Sequence, residues 1–268
     1  MSAPGLNQDG TIAREGALDR VPPAFAAVVA AARARISATY GEDRLHSAYL
    51  YGSIPRGTAR PGSSDLDLLL ALHRDPTDAD RADARRLEVA LDDGFEEIDG
   101  VGVLLFGVPT LLSELERYDL GFFLACLCTP LIGEDLAAGL PAYRPTPLLA
   151  RETNGDLALA IPRWRRRMAE ETSDDQRRSL VRGVARRLVR TGFTLVMPRW
   201  GGWTSDLGRC AEVFGRYYPD RADQLRTAAA AGRTPTADPA LLRLLVEDLA
   251  PWLAAEYLAV HGAKSTRG

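Results

Sequence analysis

The chain has 268 residues, a net charge of −3 and a pI near 5.7, so nothing in its overall charge draws it to long nucleic acid or an anionic membrane. No apolar run approaches the roughly 20 residues that cross a bilayer. The three cysteines, Cys126, Cys128 and Cys210, lack zinc spacing and fit a reduced cytoplasmic setting. Of the 33 basic residues only Lys264 is a lysine, which excludes a Walker-type phosphate loop, a kinase strand lysine and a Schiff-base lysine.

In chain order, residues 1–20 read as a loose polar extension without the apolar stretch of a signal peptide. A first helix opens at Pro22 and Pro23 and closes at Gly41. "HSAYLY" (46–51) has strand character and ends at Gly52; "LDLLLAL" (66–72) is apolar on both faces, the mark of a central strand. An amphipathic helix with an acidic first turn covers 76–94. A third strand is expected within 95–107, a helix over 109–128 and an edge strand at "TPLIG" (129–133). After a proline-rich connector at 141–147 only helical periodicity remains, over roughly 150–172, 174–197, 204–217, 219–232 and 238–261. The reading is an α/β (α+β) domain of mixed sheet and flanking helices over 21–144, followed by an all-helical bundle over 145–268.

The chemistry concentrates in "GSIPRGTARPGSSDLDLLLAL". Gly52 and Ser53 follow a strand directly, where a turn of exposed N–H groups with a hydroxyl makes an anion-binding nest that needs no lysine. Eleven residues separate Ser53 from Asp65, and they include Gly57, Pro61 and Gly62, so they form a loop. Asp65 and Asp67 then head a strand. Residues i and i+2 of a strand share a face, about 6.5–7 Å apart. Two carboxylates held so repel unless a cation lies between them. Oxygen-only ligands suit Mg²⁺, which also takes up phosphate oxygens.

This stretch resembles the signature of the polymerase-beta-type nucleotidyltransferase superfamily: Gly-Ser, a loop, then Asp-x-Asp. The resemblance covers residues 46 to about 106. It implies a mixed sheet with flanking helices, Mg²⁺-dependent transfer of a nucleoside monophosphate from a triphosphate, and a third carboxylate on a neighbouring strand. "EEIDGVGVLLF" offers Glu96, Glu97 and Asp99; Asp99 directly precedes the apolar segment and is the choice, with Glu97 as reserve. Gly100 and Gly102 leave the register of that strand insecure. Asp65, Asp67 and Asp99 are the expected ligands of two Mg²⁺ ions and the catalytic acids. Gly52, Ser53, Ser64 and Arg190 are the expected nucleotide contacts.

In the helical half, Arg182, Arg186 and Arg190 form a stripe at i, i+4 and i+8. The run around them resembles the C-terminal helical domain of aminoglycoside O-nucleotidyltransferases, in which an arginine on this helix reaches the triphosphate; Arg190 stands in that place and could grip phosphate bidentately. Arg186 and Arg187 read instead as a solvated, salt-bridged face. The Ser-Lys pair of those enzymes is replaced here by Thr204-Ser205-Asp206, a sequence that suits a helix cap. Trp200 and Trp203 favour core packing over stacking on a ligand. His46, His73 and His261 are isolated, and Cys126 and Cys128 favour a core role. Glu134 and Asp135 suit a loop or cap better than a cationic acceptor.

The expected activity is transfer of AMP from ATP, or of another nucleoside monophosphate, to a hydroxyl of a small molecule such as an aminoglycoside-like antibiotic or metabolite. A protein adenylyltransferase of toxin–antitoxin type and a catalytically silent nucleotide-binding regulator are the alternatives. Neither long nucleic acid nor membrane is an expected partner.

Overall fold

The computed structural model describes residues 4–170 and 173–265. They form two compact units: residues 13–143, and residues 144–265 together with residues 4–12.

The first unit is built on a four-stranded mixed sheet in the order β3-β2-β1-β4. Its strands are β1 (Leu45–Tyr51), β2 (Leu66–Leu72), β3 (Val101–Gly107) and β4 (Thr129–Gly133). β1 runs antiparallel to β2 and β4, while β2 and β3 are parallel. The unbroken apolar run of β2 follows from its place between two strands, with both faces covered. Leu66, Leu68 and Leu70 pack with Val28, Ala32 and Ile36 of α1 (Ala26–Arg44) and with Leu87 and Leu91 of α2 (Asp78–Asp92). Leu69 and Ala71 face the other way, against Tyr49, Leu111, Leu124 and Cys128.

The helices begin and end where local chemistry dictates. α1 breaks at Gly41, whose φ of +62° no other residue adopts easily. α2 opens with a capping box: Thr77 Oγ1 accepts the Asp80 N–H, and the Asp80 carboxylate accepts the Thr77 N–H at 2.9 Å. The single helix expected over 109–128 is not there. The chain forms α3 (Val108–Leu111), a series of turns, and α4 (Leu120–Phe122) continuing into a π-turn over Phe123–Leu127. Gly121 sits where a Cβ would lie 2.8 Å from the Tyr143 hydroxyl, and that hydroxyl donates to the Arg117 carbonyl at 2.5 Å. A contact from beyond the segment thus overrides its helical pattern.

Residues 13–20, expected to be loose, are tied down: Glu15 N–H donates to the Cys126 carbonyl, Ala17 N–H to the Pro55 carbonyl, and Arg14 to Asp135 and the Ala125 carbonyl. Residues 4–12 join the helical unit, where Pro4 accepts the Trp203 N–H at 2.9 Å.

The helical unit comprises α5 (Pro147–Asn154), α6 (Leu157–Glu170), α7 (Asp174–Trp200), α8 (Leu207–Gly215), α9 (Ala222–Arg233), α10 (Pro239–Arg243) and α11 (Ala250–His261). The helix expected over 150–172 is interrupted at Gly155, where a Cβ would press on the Lys264 backbone nitrogen at 2.8 Å. The helix expected over 238–261 includes a π-turn at Leu244–Leu249. α7 is the spine, apolar toward α8 and α9. One buried polar network ties α5, α7 and α11: Asn154 donates to Thr194 at 3.0 Å, and the Tyr257 hydroxyl lies 2.5 Å from the Ala150 carbonyl and 3.0 Å from Thr194 Oγ1. Such a network is stabilising only when its polar groups are paired, as these are.

Candidate active site

β1 ends at Tyr51, and Gly52 turns the chain with φ +81°. Two separate demands require glycine here: the left-handed backbone, and a Cβ that would overlap Asp67 Oδ2 and lie 3.2 Å from Asp67 Cγ. The turn is therefore pressed directly on the second aspartate. Ile54, fully buried, pins the loop into the core, and Thr58 N–H closes it on the Ser53 carbonyl at 3.0 Å. Ser53 is half-buried beside Gly52. Ser64 shapes the far end of the loop: its hydroxyl accepts the Arg60 N–H at 2.9 Å, and its carbonyl accepts the Asp99 N–H at 3.1 Å.

Asp65 and Asp67 flank the fully buried Leu66 at the start of β2, so both emerge on the face opposite that leucine. Asp67 is paired across the sheet with Tyr51 on one side and Gly102 on the other. A Cβ on Gly102 would come 3.6 Å from Asp67 Oδ1, and one on Gly100 would come 3.8 Å from Asp65 Oδ1. Each carboxylate thus has a glycine beside it and open room on its β3 side.

The third acid stands differently from the first two. On β3 the positions that share the aspartates' face are Gly102, Leu104 and Phe106; none is acidic. Asp99 lies exposed just before the strand, hydrogen-bonded through its backbone to Ser64. Gly100, at φ +140°, interrupts the strand alternation between Asp99 and Val101. Glu97 is one step further out, its carbonyl accepting the Gly62 N–H at 2.9 Å. Among the described residues no three or more His, Cys, Asp or Glu side chains are gathered closely enough to hold a metal. The structure places Asp65 and Asp67 on one face with Asp67 against Gly52, and does not gather Asp99 or Glu97 with them into one cluster.

The remaining residues separate by unit. Arg190 is exposed on α7. Arg186 is docked, its Nε donating to the Gly232 carbonyl at 2.9 Å, and Arg187 pairs with Asp156. Trp200 and Trp203 both meet Phe193 edge-on, at 5.7 and 5.6 Å between ring centres, and Trp203 is buried. Asp206 caps α8 by accepting the Arg209 N–H at 2.8 Å and pairs with Arg233 at 2.7 Å. Asp135 caps a short turn and binds Arg14. His46 and His73 meet edge to face, 5.4 Å apart, at the end of the β1–β2 pair away from Asp67. Burial pushes the Cys126 thiol up to about 12, and Cys128 higher still, so neither is a thiolate nucleophile at neutral pH.

Two paired carboxylates, a glycine turn pressed on one of them and free space on the other side form an oxygen donor set suited to a hard divalent cation that keeps water and phosphate ligands. Residues 39–115 match the family model for the nucleotidyltransferase domain. The chain carries a nucleotidyltransferase domain. Strands β1, β2 and β3, the Gly52 turn and the Asp65–Asp67 pair all fall within the matched residues, and β4 lies beyond them. Among solved structures the chain is similar to a spectinomycin adenyltransferase, AAD(9), from Enterococcus faecialis, crystallised with ATP and spectinomycin: 13% identity over 85% of this chain and 98% of that one, with a TM-score of 0.50. That similarity extends the shared fold into the helical unit. No curated protein sequence matches the chain significantly.

Proposed function

We propose that this nucleotidyltransferase moves a nucleoside monophosphate, AMP from ATP, to a hydroxyl of a small molecule. The observation that carries the reading is the placement of Asp65 and Asp67 on one face at the start of β2, against the Gly52 turn. Asp65 and Asp67 are the residues that would hold magnesium, which when bound offsets the charge building on the attacking and leaving oxygens. The acceptor oxygen forms a bond to the α-phosphorus, the α–β anhydride bond breaks, and pyrophosphate leaves. The N–H groups of the Gly52–Ser53 turn bind phosphate oxygens. We assign the hydroxyl proton to the Asp99 carboxylate, an acid whose backbone N–H is held by the carbonyl of Ser64, next to Asp65, and nucleotide contact to Arg190.

A small acceptor is supported by the AAD(9) structure, which contains spectinomycin, and by a composition without the cationic excess that long nucleic acid demands. The test is pyrophosphate release from ATP in Mg²⁺ against a panel of aminoglycosides, aminocyclitols and other hydroxylated metabolites. Acceptor-dependent release that vanishes in Asp67→Asn supports the reading; unchanged release by that variant refutes it. Asp99→Asn should lower kcat, and Arg190→Gln should raise KM for ATP more than it lowers kcat.

A further inference from the structure

The helical unit contains a cavity that nucleotidyl transfer does not use in the reading above. It has a volume of about 410 Å³ and lies between α6 and α7, within the size range of small-molecule sites. Its walls follow from helical periodicity. On α6, Leu159, Arg163 and Arg167 recur at i, i+4 and i+8; on α7, Leu180, Gly183 or Val184, and Arg187 recur at one-turn intervals. The two stripes face one another across the gap.

Its chemistry is two-sided. Trp164, Leu180 and Val184 form a buried apolar floor, and Leu159 stands 78% exposed at the rim. Gly183 opens the middle: a Cβ there would meet nothing within 4 Å, although the site is in the interior of a helix, where glycine costs about 1 kcal/mol.

The charge is lopsided. Asp156 is the acid of the lining, and it is already shared by Arg187 and by Lys264, 4.0 Å away. Arg187 still has its Nε buried without a hydrogen-bond acceptor among the described residues, a state that is costly unless something supplies one. Arg163 and Arg167 form no ion pair with any described residue. Among the described residues, three guanidinium groups therefore surround an apolar floor with one carboxylate among them.

We infer that this cavity is a binding site for a small amphipathic anion, an aromatic or aliphatic body of one or two rings carrying a carboxylate, sulfonate or similar group. The body covers the Trp164–Val184 floor, and the anionic group accepts hydrogen bonds from Arg163, Arg167 and the Nε of Arg187. A cationic ligand is disfavoured at the same place by like-charge repulsion. The inference concerns the helical unit alone and does not depend on nucleotidyl transfer.

The test is isothermal titration calorimetry on the full chain with naphthalene-2-sulfonate, its neutral isostere naphthalene-2-sulfonamide, the cation 2-naphthylmethylammonium, and inorganic sulfate. One equivalent of the sulfonate should bind, about tenfold or more tighter than the other three, with affinity falling as salt rises. Arg163→Gln with Arg167→Gln should weaken the sulfonate about tenfold and leave the sulfonamide unchanged. Gly183→Phe, which fills the open space, should abolish binding of the sulfonate without lowering the melting temperature. Equal binding of the sulfonate and the sulfonamide, sulfonate affinity untouched by the arginine pair or by Gly183→Phe, or displacement of the sulfonate by saturating ATP would each overturn the assignment.

Discussion

Gly52→Ala separates the two demands placed on that glycine. The substitution meets a backbone at φ +81°, which disfavours an L-residue by about 1–2 kcal/mol. It also drives a methyl into Asp67 Oδ2, with Asp67 Cγ only 3.2 Å away. Asp67 belongs to a strand paired on both sides, so its backbone cannot yield; the carboxylate must swing away by about 1 Å. A displacement of that size at a reacting centre costs on the order of 100-fold in rate. Gly62→Ala is the control. Gly62 has a similar φ of +69°, yet a Cβ there meets nothing within 4 Å, so it carries the backbone cost without the contact. Both variants should lose about 1–2 kcal/mol, a fall in melting temperature of about 2–8 °C for a domain of this size. Only Gly52→Ala should lose pyrophosphate release by 100-fold or more. Comparable turnover in the two variants would refute the claim that the turn exists to hold Asp67.

The open space beside the pair can be used in the opposite direction. Gly102→Asp places a third carboxylate directly across from Asp67, at a position where a Cβ makes ordinary contact; the variant should melt lower than wild type in EDTA, through like-charge repulsion, and gain more than wild type on adding Mg²⁺, both read by calorimetry. At the start of α2, Thr77→Ala removes the capping box and should cost about 0.5–2 kcal/mol in urea unfolding. The Thr77 hydroxyl, with Arg44, holds the Asp80 carboxyl below its ordinary value of 3.8. The unfolded chain therefore takes up a proton at a higher pH than the folded one. The stabilisation from Asp80 is complete above about pH 4–5 and is lost as pH falls through 3.8 toward the depressed folded value; the difference in urea midpoint between wild type and Asp80→Asn should shrink over that window, and a constant difference would exclude the linkage. In the helical unit, Tyr257→Phe leaves the Ala150 carbonyl and Thr194 each short of a partner and should cost about 1–3 kcal/mol without changing KM for ATP.

The elements readable from sequence were those whose signals are local. β2 runs over the residues of its apolar run, β4 over "TPLIG", and α2 starts at the acidic turn after Thr77. Each is a run of one period closed by glycine, proline or a capping residue, and no distant contact is needed to define it. The segment 109–128 failed for the complementary reason. Its helical pattern is real, but the residues between Leu111 and Leu120 form turns, and the Arg117 carbonyl there accepts from the hydroxyl of Tyr143, a residue beyond the segment. Likewise the break at Gly155 lies where a Cβ would press on the backbone of Lys264, a distant neighbour that periodicity does not report.

The same distinction runs through the site. The facing of Asp65 and Asp67 follows from strand geometry alone, because the buried Leu66 between them fixes which side is in. The third acid depends on how β3 is registered against β2, and that register is a long-range fact: Asp67 meets Gly102, not an acid, and Gly100 at φ +140° uncouples Asp99 from the alternation of the strand. The paired glycines that made the register hard to read are thus what leaves room beside both carboxylates. A helical stripe of charge ordinarily means solvent, so sequence alone does not single out the arginines of α6. The available signal was Gly183, a glycine in the middle of a 27-residue helix where it is unfavourable. A position that accepts that cost next to three guanidinium groups is better explained by the space it opens than by the fold it weakens.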